Sequence, residues 1–104
     1  MRPSQALALL LISGISVAAE AQDAATSLHI RTNAATCAGC HGSNGKAVEG
    51  SAVPSLAGMP RETLIAQMKA FKDGSRPATV MHQLSKGFTD EQIAQIATYF
   101  AAVR

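Results

Sequence analysis

The sequence predicts a small all-α domain, and three observations carry that prediction. No stretch of the 104 residues shows the sustained apolar–polar alternation of a strand. Three segments instead place apolar residues at helical spacing, the last behind a capping signal. Between the first two runs a segment rich in glycine and proline, far too punctuated for regular structure. The aromatic content is also thin, with no Trp, one Tyr and three Phe. A chain this small buries only ~60% of its unfolded surface, and such domains usually lean on a staple or a prosthetic group at the centre.

The elements follow in order. Residues 1–21 read as an export signal: Arg2 in a short polar head, an apolar run from Ala6 to Val17, then the small-x-small pattern of Ala19-Glu20-Ala21. The run is short against the ~20 apolar residues of a membrane span, so the expectation is a cleaved signal, a mature domain over 22–104, and no membrane span after cleavage. Cleavage near Gln22 removes Arg2 and Glu20 together and leaves the net charge at +2. That balance is too mild for nucleic acid, which calls for a concentrated basic face.

Ser27–Ala35 is predicted as a short first helix, with Leu28, Arg31, Thr32 and Ala35 on one face and small Ala34 and Ala35 available for a close helix crossing. From Cys37 to Pro60 an irregular loop is expected, and loops beyond ~12–15 residues in compact domains are usually functional. Pro60 can open the next helix, whose apolar face is Leu64, Ile65, Met68 and Phe71, with Gly74 as its stop. Val80–Ser85 suits one or two turns ending at Gly87. The last helix starts at a capping box formed by Thr89 and Gln92, with Asp90 and Glu91 favourable to the dipole. Ile93, Ile96, Ala97 and Phe100 then recur on one face.

Cys37-Ala38-Gly39-Cys40-His41 is the attachment sequence for c-type haem. Each thiol adds to one of the porphyrin's two vinyl groups, and a two-residue gap lets one helical turn span them. The histidine after the second cysteine then offers an imidazole nitrogen to the iron. Three other readings compete. A thioredoxin-like pair expects a βαβ setting. A zinc site needs two further ligands, and only His29 and His82 remain, far apart in the chain. A plain disulfide suits an exported protein. None of the three requires His41. Gly42-Ser43-Asn44-Gly45-Lys46 fails as a phosphate loop, because Cys40 and Ala47 stand where that pattern needs Gly and Ser or Thr.

Around this motif, Gly42, Pro54-Ser55-Leu56-Ala57-Gly58, Phe71-Lys72-Asp73-Gly74-Ser75-Arg76, Met81 and Ala97-Thr98-Tyr99-Phe100 resemble the class I c-type cytochromes, from about Leu28 onward. The resemblance implies three to four helices around one covalently attached haem c. It implies His41 as the proximal ligand, the Pro54 carbonyl on the other nitrogen of that ring, and Met81 as the sixth ligand. It also implies that Tyr99 and Phe100 help the last helix pack on the first. Met59 and Met68 compete with Met81, but Met68 shares an apolar face with Leu64 and Phe71, and Met59 adjoins Pro60, so both read as packing residues. His82 and His29 are expected at the surface. Arg76 is a candidate contact for a haem propionate, since a buried carboxylate wants a partner; the alternative is a solvated loop arginine.

Met68 to Met81 and Lys86 to Asp90 are similar, more narrowly, to the cytochrome subunits of flavocytochrome c sulfide dehydrogenases. That likeness implies an electron carrier with a flavoprotein or other redox protein as partner; the export signal points to the periplasm, and the chain offers no acid–base constellation that would make it an enzyme on its own. A free-standing soluble shuttle remains the alternative. A haem enzyme or gas sensor with an open sixth site, and a stapled binding module without haem, are further classes that spectroscopy separates.

Overall fold

The computed structural model describes residues 3–104, with side-chain surroundings from residue 16 onward. Five α-helical segments occur in the order α1 (Pro3–Ala35), α2 (Ala38–His41), α3 (Arg61–Asp73), α4 (Met81–Ser85) and α5 (Asp90–Ala101), with a 3-10 turn at Ser43–Gly45 between α2 and α3. No strand occurs among the described residues. The fold is the small class I cytochrome c arrangement, with α2 as an additional single turn.

Helix α1 does not begin at Ser27 as expected. From Ser16 to Ala35 it contains neither glycine nor proline, and Ala18, Ala19, Ala21, Ala24 and Ala25 are strong helix formers, so nothing breaks it there. Thr26 and Thr32 turn their hydroxyls back to the Gln22 and Leu28 carbonyls, four residues earlier. Most of the apolar run of the expected signal, Ala6–Val17, lies outside the residues whose side chains are described. Among the described residues no helix is long and apolar enough to cross a membrane.

The buried face of α1 also corrects the sequence reading. Leu28, Arg31, Thr32 and Ala35 are all exposed. The inward stripe is Ile30, Asn33 and Ala34, continuing into Cys37. The spacing is equally helical. What selects this stripe is that it runs in line with the side chain at Cys37, so the attachment segment and the core lie on one side. Ala34 is buried at the crossing as expected; Ala35 is not.

Helix α3 begins behind Pro60 and ends at Gly74, whose φ of 85° is the left-handed conformation that a side chain disfavours. Its face is the one predicted: Leu64 and Met68 are buried, Ile65 and Phe71 half-buried. Helix α5 carries the complete capping box. The Gln92 backbone N–H donates to Thr89 Oγ1 at 3.1 Å, and the Thr89 N–H donates to Gln92 Oε1 at 2.9 Å. Such a cap contributes ~1 kcal/mol.

α5 packs against both α1 and α3, and α3 packs against α4. The core is Ala34, Leu64, Met68, Ile93, Ile96, Ala97 and Phe100, with Phe100 its one aromatic ring among the described residues. Tyr99 meets Phe100 edge-on, ring centroids 5.2 Å apart, and is half-buried, so of the predicted pair Phe100 alone is fully interior. This side-chain core is small for the chain length, as the composition implied.

Candidate functional site

Cys37 caps α2, Cys40 lies within it and His41 ends it, so one helical turn carries all three chemical groups. The turn is tied at both ends: the His41 N–H donates to the Cys37 carbonyl at 2.9 Å and the Gly42 N–H to that of Ala38 at 3.0 Å. Cys37 packs against the core while Cys40 is exposed, and no disulfide joins them. Burial pushes the Cys37 thiol above its ordinary range, with a hydrogen bond from the Thr36 side chain acting in the opposite direction.

His41 is buried, with 8% of its surface exposed. Its Nδ1 lies 2.6 Å from the Pro54 carbonyl oxygen. A carbonyl only accepts, so Nδ1 carries the proton and Nε2 keeps its lone pair for a metal. This is the contact that the resemblance assigned to Pro54.

The loop holds that carbonyl in place by pairing with itself. The backbone N–H groups of Leu56 and Ala57 both donate to the Gly45 carbonyl, at 2.8 and 3.1 Å. The Ala47 N–H donates to Ser55 Oγ at 2.9 Å. The Gly58 N–H reaches across to the Phe100 carbonyl at 2.9 Å, and Tyr99 Oη donates to Asn44 Oδ1 at the same distance. Ser55 to Gly58 are thereby laced to the turn after His41 and to α5. The expected irregular segment is thus fixed by hydrogen bonds, although little of it is regular.

Met81 opens α4, is half-buried, and packs against the same core cluster as Cys37. Met68 is buried and Met59 half-buried within that packing, as expected of filling residues. His29 is exposed as expected. His82 is not at the surface: it is half-buried, and its Nδ1 is buried with no hydrogen-bond partner among the described residues. α4 packs against α3, and a five-residue helix has no amphipathic pattern long enough to show in advance which of its residues such packing covers. Arg76 is exposed, with its guanidinium carbon 4.9 Å over the Phe71 ring. Its backbone N–H donates to the Ala70 carbonyl at 3.1 Å.

Two residues that sequence reasoning passed over belong to this region. Ser85 is fully buried and donates its hydroxyl to Met68 Sδ at 3.6 Å. Asn44 takes a left-handed φ of 54° and receives the Tyr99 hydroxyl. The available signals were the spacing of Ser85, four residues after Met81, and the turn propensity of the Ser43-Asn44-Gly45 run.

The donor set fits a haem. Two thiols flank one turn, the adjacent imidazole has its tautomer fixed with Nε2 left as a donor, and a thioether packs on the same cluster. In the same short helix as that thioether, His82 Nδ1 is buried with no hydrogen-bond partner among the described residues. Among the described residues no three His, Cys, Asp or Glu side chains gather as a metal site, so the zinc alternative finds no ligand set. A surface groove of about 630 Å³ lies elsewhere, between Ile30, Arg61, Thr98, Tyr99 and Val103.

A family model described as cytochrome c oxidase, cbb3-type, subunit III matches residues 24–100. The chain is 45% identical over 65 residues to the cytochrome subunit of sulfide dehydrogenase of Chlorobaculum tepidum, covering 62% of this chain and 57% of that one. It is 35% identical over 71 residues to the thiosulfate dehydrogenase electron acceptor of Thiomonas intermedia, covering 68% and 33%. With cytochrome c4 of Pseudomonas aeruginosa it shares 37% over 97 residues, covering 92% and 46%. The chain therefore spans less than two thirds of the length of each of these relatives. The matched span holds the attachment turn, the laced loop and the helices that carry Met81 and the core, and the chain belongs to the cytochrome c family of electron-transfer domains.

Proposed function

We propose that this chain is an exported, periplasmic cytochrome carrying one haem c, and that it receives single electrons from a sulfide-oxidising flavoprotein as that enzyme's haem subunit. The observation that carries the partner is the 45% identity to a cytochrome subunit of sulfide dehydrogenase. It is joined by the likeness already read in Met68–Met81 and Lys86–Asp90.

Cys37 and Cys40 would hold the haem through thioether bonds, and His41 Nε2 and the Met81 sulfur would be the ligands of its iron. Bound haem supplies a reversible one-electron change at its iron, ferric to ferrous, the electron coming from the dehydrogenase's reduced flavin. The protein supplies the rest. The Pro54 carbonyl, 2.6 Å from Nδ1, orients the His41 ring and raises its basicity. A thioether ligand would favour the reduced iron and raise the potential relative to an all-nitrogen site. With the imidazole and the thioether both bound to it, the metal would be kept from substrates. Arg76 would meet a propionate by leaving its stacking on Phe71, an exposed contact worth only ~0.5–1 kcal/mol. The signal over residues 1–21 would deliver the chain to the compartment where haem is attached, leaving a mature start near Gln22.

Gel filtration of the native extract at low and high ionic strength tests the partner. The haem is expected to travel with a flavin chromophore at both, because a permanent subunit buries more apolar area than a transient contact of below ~1,200 Å² and resists salt. Elution as a small haem protein alone under both conditions replaces the subunit with a free electron shuttle.

A further inference from the structure

We propose that Ser85 is a positioning residue for the sixth ligand: its hydroxyl, bonded to Met68, tethers α4 to α3 and so holds the Met81 sulfur toward the iron. The proposal rests on Met81 being that ligand.

Helix α4 has five residues, too few to be stable alone. It is preceded by the irregular Ser75–Val80 segment, so its position depends on what grips it. Its backbone bonds are all local: Gln83 and Leu84 donate to the Val80 carbonyl, Gly87 to that of Leu84 and Phe88 to that of Ser85. No ion pair among the described residues involves it. The one side-chain hydrogen bond from α4 to another element, among the described residues, is Ser85 Oγ to Met68 Sδ at 3.6 Å. Ser85 has no exposed surface at all, so no water offers its hydroxyl a substitute.

Register completes the case. Ser85 is four residues after Met81, so the two lie on one face of α4, one turn apart. A tether at the last residue of such a short helix fixes the rotation of the first. The acceptor, Met68, is itself anchored in the buried face of α3 beside Leu64. The two methionines of this region thus take separate parts, Met68 as the anchor and Met81 as the ligand.

The test is displacement of the sixth ligand by imidazole in the purified ferric holoprotein, followed in the visible spectrum, with urea unfolding run in parallel. In Ser85→Ala, imidazole should bind about fivefold more tightly, the factor that one net hydrogen bond contributes. Met68→Leu keeps volume but removes the acceptor, and should give a similar gain. The double variant should gain no more than either single one. In a Met81→Ala background, Ser85→Ala should leave imidazole affinity unchanged, because no thioether remains to be positioned. Unchanged imidazole affinity in both single variants, with only the urea midpoint lowered, would reduce Ser85 to a packing residue and overturn the proposal. So would an undiminished effect in the Met81→Ala background. A sulfur–iron charge-transfer band surviving in Met81→Ala is a different result: it refutes Met81 as ligand and removes the ground on which the Ser85 proposal stands.

Discussion

Replacing Gly42 with alanine should be among the most damaging single-methyl additions available in this chain. Gly42 follows His41 directly, with φ at 87° and ψ at 162°. A Cβ built there would lie 2.0 Å from the Lys46 carbonyl oxygen, 2.6 Å from its carbon and 3.0 Å from the Ala47 Cα. All three are backbone atoms, so no side chain can swing away. Ordinary contact requires the 42–47 turn to open by more than ~1 Å. That turn carries the Gly45 carbonyl, which both Leu56 and Ala57 use, and through them the position of Pro54. Positive φ with ψ at 162° is essentially reserved for glycine and costs a residue with a Cβ ~1–3 kcal/mol, and overpacking a tight site adds ~1–3 kcal/mol. Gly74→Ala is the internal control. Its φ is 85°, but nothing lies within 4 Å of the added atom, so only the backbone cost applies. Urea unfolding of the haem-loaded proteins, followed by far-ultraviolet circular dichroism, should place Gly42→Ala ~1–3 kcal/mol below Gly74→Ala. If the two variants unfold within ~0.5 kcal/mol of one another, the turn is not clamped by that contact, and the account of how Pro54 is positioned fails with it.

Three other outcomes are expected. Mass spectrometry of the mature protein should show one added haem, no free thiol and an N-terminus near Gln22; haem released by acid–acetone extraction would contradict attachment through Cys37 and Cys40. Met81→Ala should shift the ferric haem toward high spin and lower the potential, whereas Met81→His should stay low spin while still lowering it, as electronic spectra and redox titration would record. Asp90 lies 3.4 Å from Lys69 and 3.5 Å from Lys72, and Lys69 first and Lys72 second hold its carboxyl below the usual carboxylate range. A folded-state value lower than the unfolded one means stability that is present above the ordinary carboxylate range and lost as pH falls through the depressed value. Asp90→Asn should therefore lower the urea midpoint at neutral pH and make no difference once both states are protonated. An equal loss at both pH values would assign the effect to the start of α5 rather than to the lysines.

What could be read from the sequence was whatever one short stretch specifies alone. Cys37, Cys40 and His41 declare their chemistry by spacing, because one helical turn fixes the distance between the thiols. The Thr89–Gln92 cap and the Ile93, Ile96, Ala97, Phe100 face declare α5, because every contact they need lies within a few residues. The buried face of α1 was not legible. Leu28-Arg31-Thr32-Ala35 and Ile30-Asn33-Ala34-Cys37 are equally periodic, and only the docking of α5 against the helix, with Cys37 in line, chose between them. The histidine–carbonyl bond stood in the sequence as an implication of resemblance. Geometrically it depends on Ala47, Leu56 and Ala57 closing a loop across intervals of eight to twelve residues, which no local pattern encodes. His82 and Ser85 were hidden for the same reason. A residue in a five-residue helix has no amphipathic signature long enough to read, so its burial is decided by the helix it lies on, and that was settled by α3.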